Sequence, residues 1–162
     1  MAGRIMSLNV STGGLPKLPV GRAYVTRLGL EGDAHRNTRY HGGPGRAVCL
    51  YAAELIARLR EEGHYVRPGT LGENVTVEGI DFEALKPGDA LYLGDEVALQ
   101  VTSYTVPCRN IASNFHDRGY ERLSAKLHPG QARLYARVLA GGNLAVGDPV
   151  RVASGTQDRQ LP

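Results

Sequence analysis

A chain of 162 residues with 42% hydrophobic and 22% charged side chains has the composition of one globular domain with a sizeable core, which excludes wholesale disorder, fibrous repeats and a two-domain enzyme. Its 19 basic against 16 acidic side chains leave a net charge of only +3, spread over both halves, so no nucleic-acid stripe stands out. The longest apolar run is Ala47 to Ala53, far short of the roughly 20 residues of a membrane helix, and the N-terminal MAGRIMSLNVSTGG lacks the apolar stretch of a secretion signal; the expectation is a cytoplasmic protein with no membrane and no nucleic-acid partner.

The 21 Gly and 9 Pro exceed average usage and call for many turns between short strands. In chain order, apolar alternation or short apolar runs predict strands at Arg4 to Val10, Ala23 to Leu30, Ala47 to Tyr51, Asn74 to Val77, Ala90 to Leu93, Val97 to Ser103, Arg133 to Leu139 and Val150 to Val152. Gly94-Asp95 suits a tight hairpin between two of them. The clearest helix is Ala52 to Glu62, where Ala52, Leu55, Ile56 and Leu59 make one apolar stripe and Gly63 ends it. A weaker helix is expected after Asp117, burying Tyr120, Leu123 and Leu127 and ending at Pro129-Gly130. Many strands with two or three short helices predict a mainly β fold, a closed or nearly closed barrel, because closure removes strand edges. The polar tail Ala153 to Pro162 is expected to fray, leaving residues 1–152 as the domain.

Three stretches stand out chemically. Gly32 to Arg46 packs His35, His41, three Arg and four Gly into a segment without apolar periodicity, so dense donors on a flexible backbone suit an anion. The plain alternative is an Asp33–Arg pair, glycines serving a turn, and solvated histidines; residue by residue it is as good, for the whole cluster it is the weaker reading. In Pro107-Cys108-Arg109-Asn110 a thiol at a strand exit, next to Arg109 and a possible short helix, sits where positive potential would lower its pKa, and a thiolate there could bind a soft metal or hold sulfur. Taken alone, such a cysteine is more often structural. Cys49 has apolar neighbours throughout and reads as core filler. Gly69-Thr70-Leu71-Gly72-Glu73-Asn74 could present donors to a ligand, or serve equally as a turn.

No phosphate loop, dinucleotide fingerprint or nucleophile elbow is present, which removes the common nucleotide enzymes and α/β hydrolases. Two cysteines cannot hold a four-thiolate iron–sulfur cluster or build a disulfide scaffold. A three-ligand zinc site from His35, His41 and Cys108 stays open as a weaker idea.

Taken together, Gly29-Leu30-Glu31-Gly32-Asp33-Ala34-His35, His41-Gly42-Gly43, Arg46-Ala47-Val48, Leu50-Tyr51, Gly72-Glu73-Asn74, Gly88-Asp89, Pro107-Cys108 and Gly147-Asp148 resemble, in order, the MOSC family, named for the C-terminal domain of molybdenum cofactor sulfurase, and specifically its small stand-alone bacterial members. The resemblance implies a MOSC β-barrel related to the barrel of pyruvate kinase. It implies that Cys108 is the family cysteine, the catalytic residue and metal ligand that supplies a thiolate to molybdenum cofactor in some members and is proposed to carry sulfur in others. Cofactor-binding residues are then expected at Asp33, His35, His41, Gly42, Gly43, Arg46, Gly72, Glu73, Asn74 and Arg109. Many relatives carry Arg three residues before the cysteine, where this chain has Thr105; Arg109 is the suggested substitute. Related MOSC enzymes reduce N-hydroxylated bases, so a small-molecule substrate and a separate electron-donating reductase are implied, the chain having no flavin or iron–sulfur motif of its own. Pyridoxal phosphate binding is associated only with the family at large. The alternative is a non-catalytic carrier of sulfur or cofactor on Cys108.

Overall fold

The computed structural model describes residues 3–34 and 43–153. Strand β1 (Gly3–Val10) opens the chain with Ile5 and Ser7 turned inward and Arg4 and Met6 outward, the two-residue period of a half-buried strand. Short strands β2 (Leu18–Val20), β3 (Arg22–Thr26) and β4 (Gly29–Leu30) follow. A 3-10 turn at Pro44–Arg46 leads into β5 (Val48–Ala52), which is buried along its whole length, and helix α1 (Ala53–Glu61) follows directly. Then come β6 (Val75–Glu78), β7 (Ala90–Leu93), β8 (Val97–Tyr104), β9 (Leu134–Ala140), β10 (Gly142–Ala145) and β11 (Pro149–Ala153).

Seven strands form one sheet in the order β11-β7-β8-β9-β5-β6-β1, and β11 pairs with β1 to close it into a barrel; β2 adds to β1 outside the ring. Among the described strands only β5 and β6 run parallel, α1 supplying the crossover that parallel neighbours require. The helix docks through Leu55, Ile56 and Leu59, the stripe expected from the sequence. Strands β10, β3 and β4 form a second, three-stranded sheet. Tyr51, Leu50, Leu8, Leu91, Leu93 and Leu99 are among the fully buried side chains of the core.

The expected mainly β barrel is present, and the predicted strands match observed ones to within a few residues, with Ala23 to Leu30 divided into β3 and β4. The loop between β7 and β8 is Gly94–Glu96, with Gly94 at φ +62°, a backbone angle that favours glycine. Among the described residues, strands β2 and β10 and the 3-10 turns Pro44–Arg46 and Phe82–Ala84 were not expected. The helix expected after Asp117 is a single 3-10 turn, Tyr120–Leu123. The Asp117 carboxylate accepts the Gly119 N–H and Arg118 takes φ +59°, so the backbone turns instead of nucleating a helix, and of the three apolar side chains expected inside, Leu127 is exposed. The tail beyond Ala153 and the segment 35–42, with His35, His41 and Gly42, lie outside the described residues.

Candidate functional site

At one end of the barrel several loops enclose a cavity of about 340 Å³, within the range of roughly 300–1,000 Å³ usual for small-molecule sites. Cys108 lines it, as do Arg46, Gly72 and Asn74 from the residues expected at a cofactor site. Leu15, Leu71, Val106 and Ile111 give the walls apolar surface, and Lys17, Arg133 and Tyr135 add polar groups.

Cys108 follows the strand exit of β8 and precedes a 3-10 helix at Arg109–Asn114; its carbonyl accepts the Ile111 N–H and its thiol is half-buried. That short helix is the one suggested by the sequence. Arg46 ends the turn ahead of β5, with its guanidinium 5.9 Å from the centroid of the Tyr135 ring. Burial pushes the Tyr135 phenol up to about 12, so it keeps its proton throughout the neutral range.

Asp33, Glu73 and Asn74 form the frame behind the cavity. The Asp33 carboxylate is only 2% exposed and accepts from the Lys17 ammonium at 2.6 Å, the Ser11 N–H at 2.9 Å and the Asn74 amide at 2.8 Å. Asn74 in turn accepts the Cys49 N–H on Oδ1, which fixes the height of β5 beside its loop. Glu73 is fully buried, away from the lining, and accepts from the Gly69 N–H and the Thr76 hydroxyl. Burial raises its carboxyl to about 7, with those donors and Arg133 opposing the rise. Gly69, at φ +89°, must be glycine for a further reason: a Cβ there would stand 2.2 Å from the Lys17 carbonyl oxygen.

Of the other expected residues, Gly43 and Arg109 are exposed and outside the lining. Several residues of the cavity were not expected from the sequence, Lys17, Tyr135, Cys49 and Arg133 among them. Cys49, read as core filler, is buried but reaches the same cavity, and burial pushes its thiol up. Arg133 immediately precedes β9 in a run that reads as an ordinary strand; its carbonyl accepts the Thr105 N–H across the sheet, a pairing that local sequence does not display. Among the described residues no group of three His, Cys, Asp or Glu is placed to hold a metal ion by itself.

Residues 37–151 match the family model described as the MOSC domain. The chain belongs to the MOSC family. Among curated proteins, this MOSC chain is 34% identical to the uncharacterized protein YflK of Bacillus subtilis over 146 residues, 87% of its own length and 63% of that protein. It is 28% identical to protein YiiM of Escherichia coli, covering 62% of it, and 31% identical to a protein named reductase from Gibberella moniliformis, covering 23% of it. The chain thus spans somewhat under two thirds of YflK and YiiM. The crystal structure of YiiM from Geobacillus stearothermophilus superposes with a TM-score of 0.73 at 25% identity, covering 94% of this chain and 75% of that one. The YUAD protein of Bacillus subtilis superposes over 95% of this chain and 97% of that one with a TM-score of 0.75; at 20% identity this concerns the fold alone.

Proposed function

We propose that the cavity holds molybdenum cofactor, with the Cys108 thiolate as the protein's ligand to the metal, and that the protein reduces N-hydroxylated bases or related compounds with electrons from a separate reductase. The observation that carries this reading is that one hollow is lined by the half-buried sulfur of Cys108 and by the cations Arg46 and Arg133, contributed by distant parts of the chain. The residues fit such a group. A soft thiolate suits molybdenum, and guanidinium forks suit the phosphate of a pterin. A buried guanidinium with an unpartnered nitrogen is a further reason to expect a charged occupant. Membership of the MOSC family and a relative named reductase point the same way.

When bound, the cofactor would supply the two-electron oxygen-atom chemistry. In the overall reaction the N–O bond of the substrate breaks, two electrons and two protons enter, and an amine and water leave. The chain's own part is to position and to shield. Cys108 offers its sulfur from the start of a 3-10 helix, while Leu15, Leu71, Val106 and Ile111 give the cavity apolar walls. Tyr135 holds a proton on Oη at the cavity wall.

The test is turnover of an N-hydroxylated base by protein purified from cells that make the cofactor, with a chemical electron donor replacing the reductase. Amine formation that requires molybdenum supports the reading. Cyanide-labile sulfur in metal-free protein, without turnover, would replace it by the carrier function.

A further inference from the structure

The two ends of the barrel carry opposite charge. At the cavity end, among the described residues, loops 11–17, 31–34, 43–47, 67–74 and 105–111 expose Arg46, Arg67 and Arg109 against one exposed carboxylate, Glu31. Strands β1 and β8 run toward that end and β6 runs away from it, so loops 79–81, 94–96 and 146–148 gather at the other. These three loops hold Asp81, Asp95, Glu96 and Asp148 and no Lys or Arg. The cations near them, Arg4, Arg22 and Arg151, are outnumbered once Glu78 is added. A charge difference along one axis draws a negatively charged body to the cavity end and orients it on arrival.

The same end shows apolar surface to water. Val106 lines the cavity and is 82% exposed, and Leu15 lines it and is 40% exposed. An apolar centre with charges at its rim is the anatomy of a protein interface: the centre gains by leaving water, and the rim charges select the partner. A small anion would have no use for the apolar centre, and a nucleic acid backbone little more.

We infer that this face docks an acidic electron-carrying protein, with carboxylates opposite Arg67 and Arg109 and an apolar patch against Val106 and Leu15. The inference rests on the proposed function, which requires a donor to reach the cavity, and adds where that donor binds and which charge it presents. The partner's redox group is oxidised by two electrons, which with two protons from water balance the cleavage of the N–O bond given above. The substrate needs the cavity as well, so the docking is a brief encounter of small area, as is usual for electron transfer.

The probe is a flavodoxin, a small flavoprotein chosen for a strongly negative net charge, titrated against the cofactor-free chain by interferometry. Wild type should bind it at about 20 mM salt and about tenfold more weakly at about 200 mM, where surface charges are screened. Arg109→Glu should weaken the low-salt binding about tenfold, and Arg67→Glu should act likewise, both at unchanged melting temperature because these side chains are exposed. Arg22→Glu makes the same change of charge away from this face and should stay within about twofold of wild type. No binding by wild type at low salt, or equal losses in Arg109→Glu and Arg22→Glu, would overturn the assignment. Self-association that Arg109→Glu abolishes would give the face to a second copy, and single-stranded DNA bound as tightly as flavodoxin would give it to a nucleic acid; either would also overturn it. Turnover driven by reduced flavodoxin should fall with the binding in Arg109→Glu, whereas turnover with a chemical electron donor should not, since Arg109 is outside the cavity lining. Charge-dependent binding in a chain that never turns over an N-hydroxylated base leaves the docking face standing and removes the proposed function. Turnover with the chemical donor and no charge-dependent binding is the reverse.

Discussion

Cys108 and Cys49 reach the same cavity from different surroundings, and their reactivity should differ accordingly. Cys108 is half-buried at a loop, whereas Cys49 is 6% exposed on a strand and its thiol is held protonated by burial. Iodoacetamide at pH 8, followed by mass spectrometry of the intact folded chain, should therefore label Cys108 first and Cys49 at least about tenfold more slowly; equal rates would contradict the placement. Cys108 was legible because Pro107 and Arg109 set it apart from any apolar run. Cys49 was not. Its neighbours in sequence are apolar, and what separates it from them is that its side chain faces the mouth of a barrel, a fact of three-dimensional position. Arg133 escaped for the same reason, since a charged residue at a strand start reads as solvent-facing until the strand across from it is known.

At the scale of elements, the strands were readable wherever alternation or a short apolar run was bounded by Gly, Pro or Asp, as in β7 and β8. Strand β2 carries Pro19 and β10 begins at Gly142, both of which weaken a local strand signal; each forms through a partner, β1 and β3 respectively. In the Gly32 to Arg46 segment Asp33 stands close to the plain alternative of an ion pair, with Lys17 rather than an Arg as its partner: it is a knot that joins the loop after β1 to the entrance of β6 through Ser11, Lys17 and Asn74. Lys17 and Asp33 are 8% and 2% exposed, so removing one leaves the other buried and unpaired. Asp33→Ala should cost about 3–5 kcal/mol in urea unfolding. A loss below about 1 kcal/mol would show that the pair does not hold these elements.

For the whole molecule, barrel closure hides Glu73 beneath the cavity and makes stability depend on pH in an unusual direction. Burial raises this carboxyl to about 7 from an ordinary 4.5, so between those values the folded chain keeps a proton that the unfolded chain has released. Its contribution therefore favours folding at low pH and is lost as pH rises through about 7. Glu73→Gln removes the titration, so its stability relative to wild type should rise on the order of 2 kcal/mol from pH 5 to pH 8. A difference independent of pH would mean that the buried carboxyl is ionised throughout.

Closure also brings Cys108, late in the chain, to the cavity that Arg46 enters from much earlier, and the proposed function stands on that meeting. Molybdenum per chain in wild type and Cys108→Ser, purified gently from the same cofactor-producing cells, tests it most directly. The expected result is near-stoichiometric molybdenum in wild type and almost none in the variant, at nearly equal melting temperatures. Equal molybdenum in both proteins, or none in wild type, would contradict it.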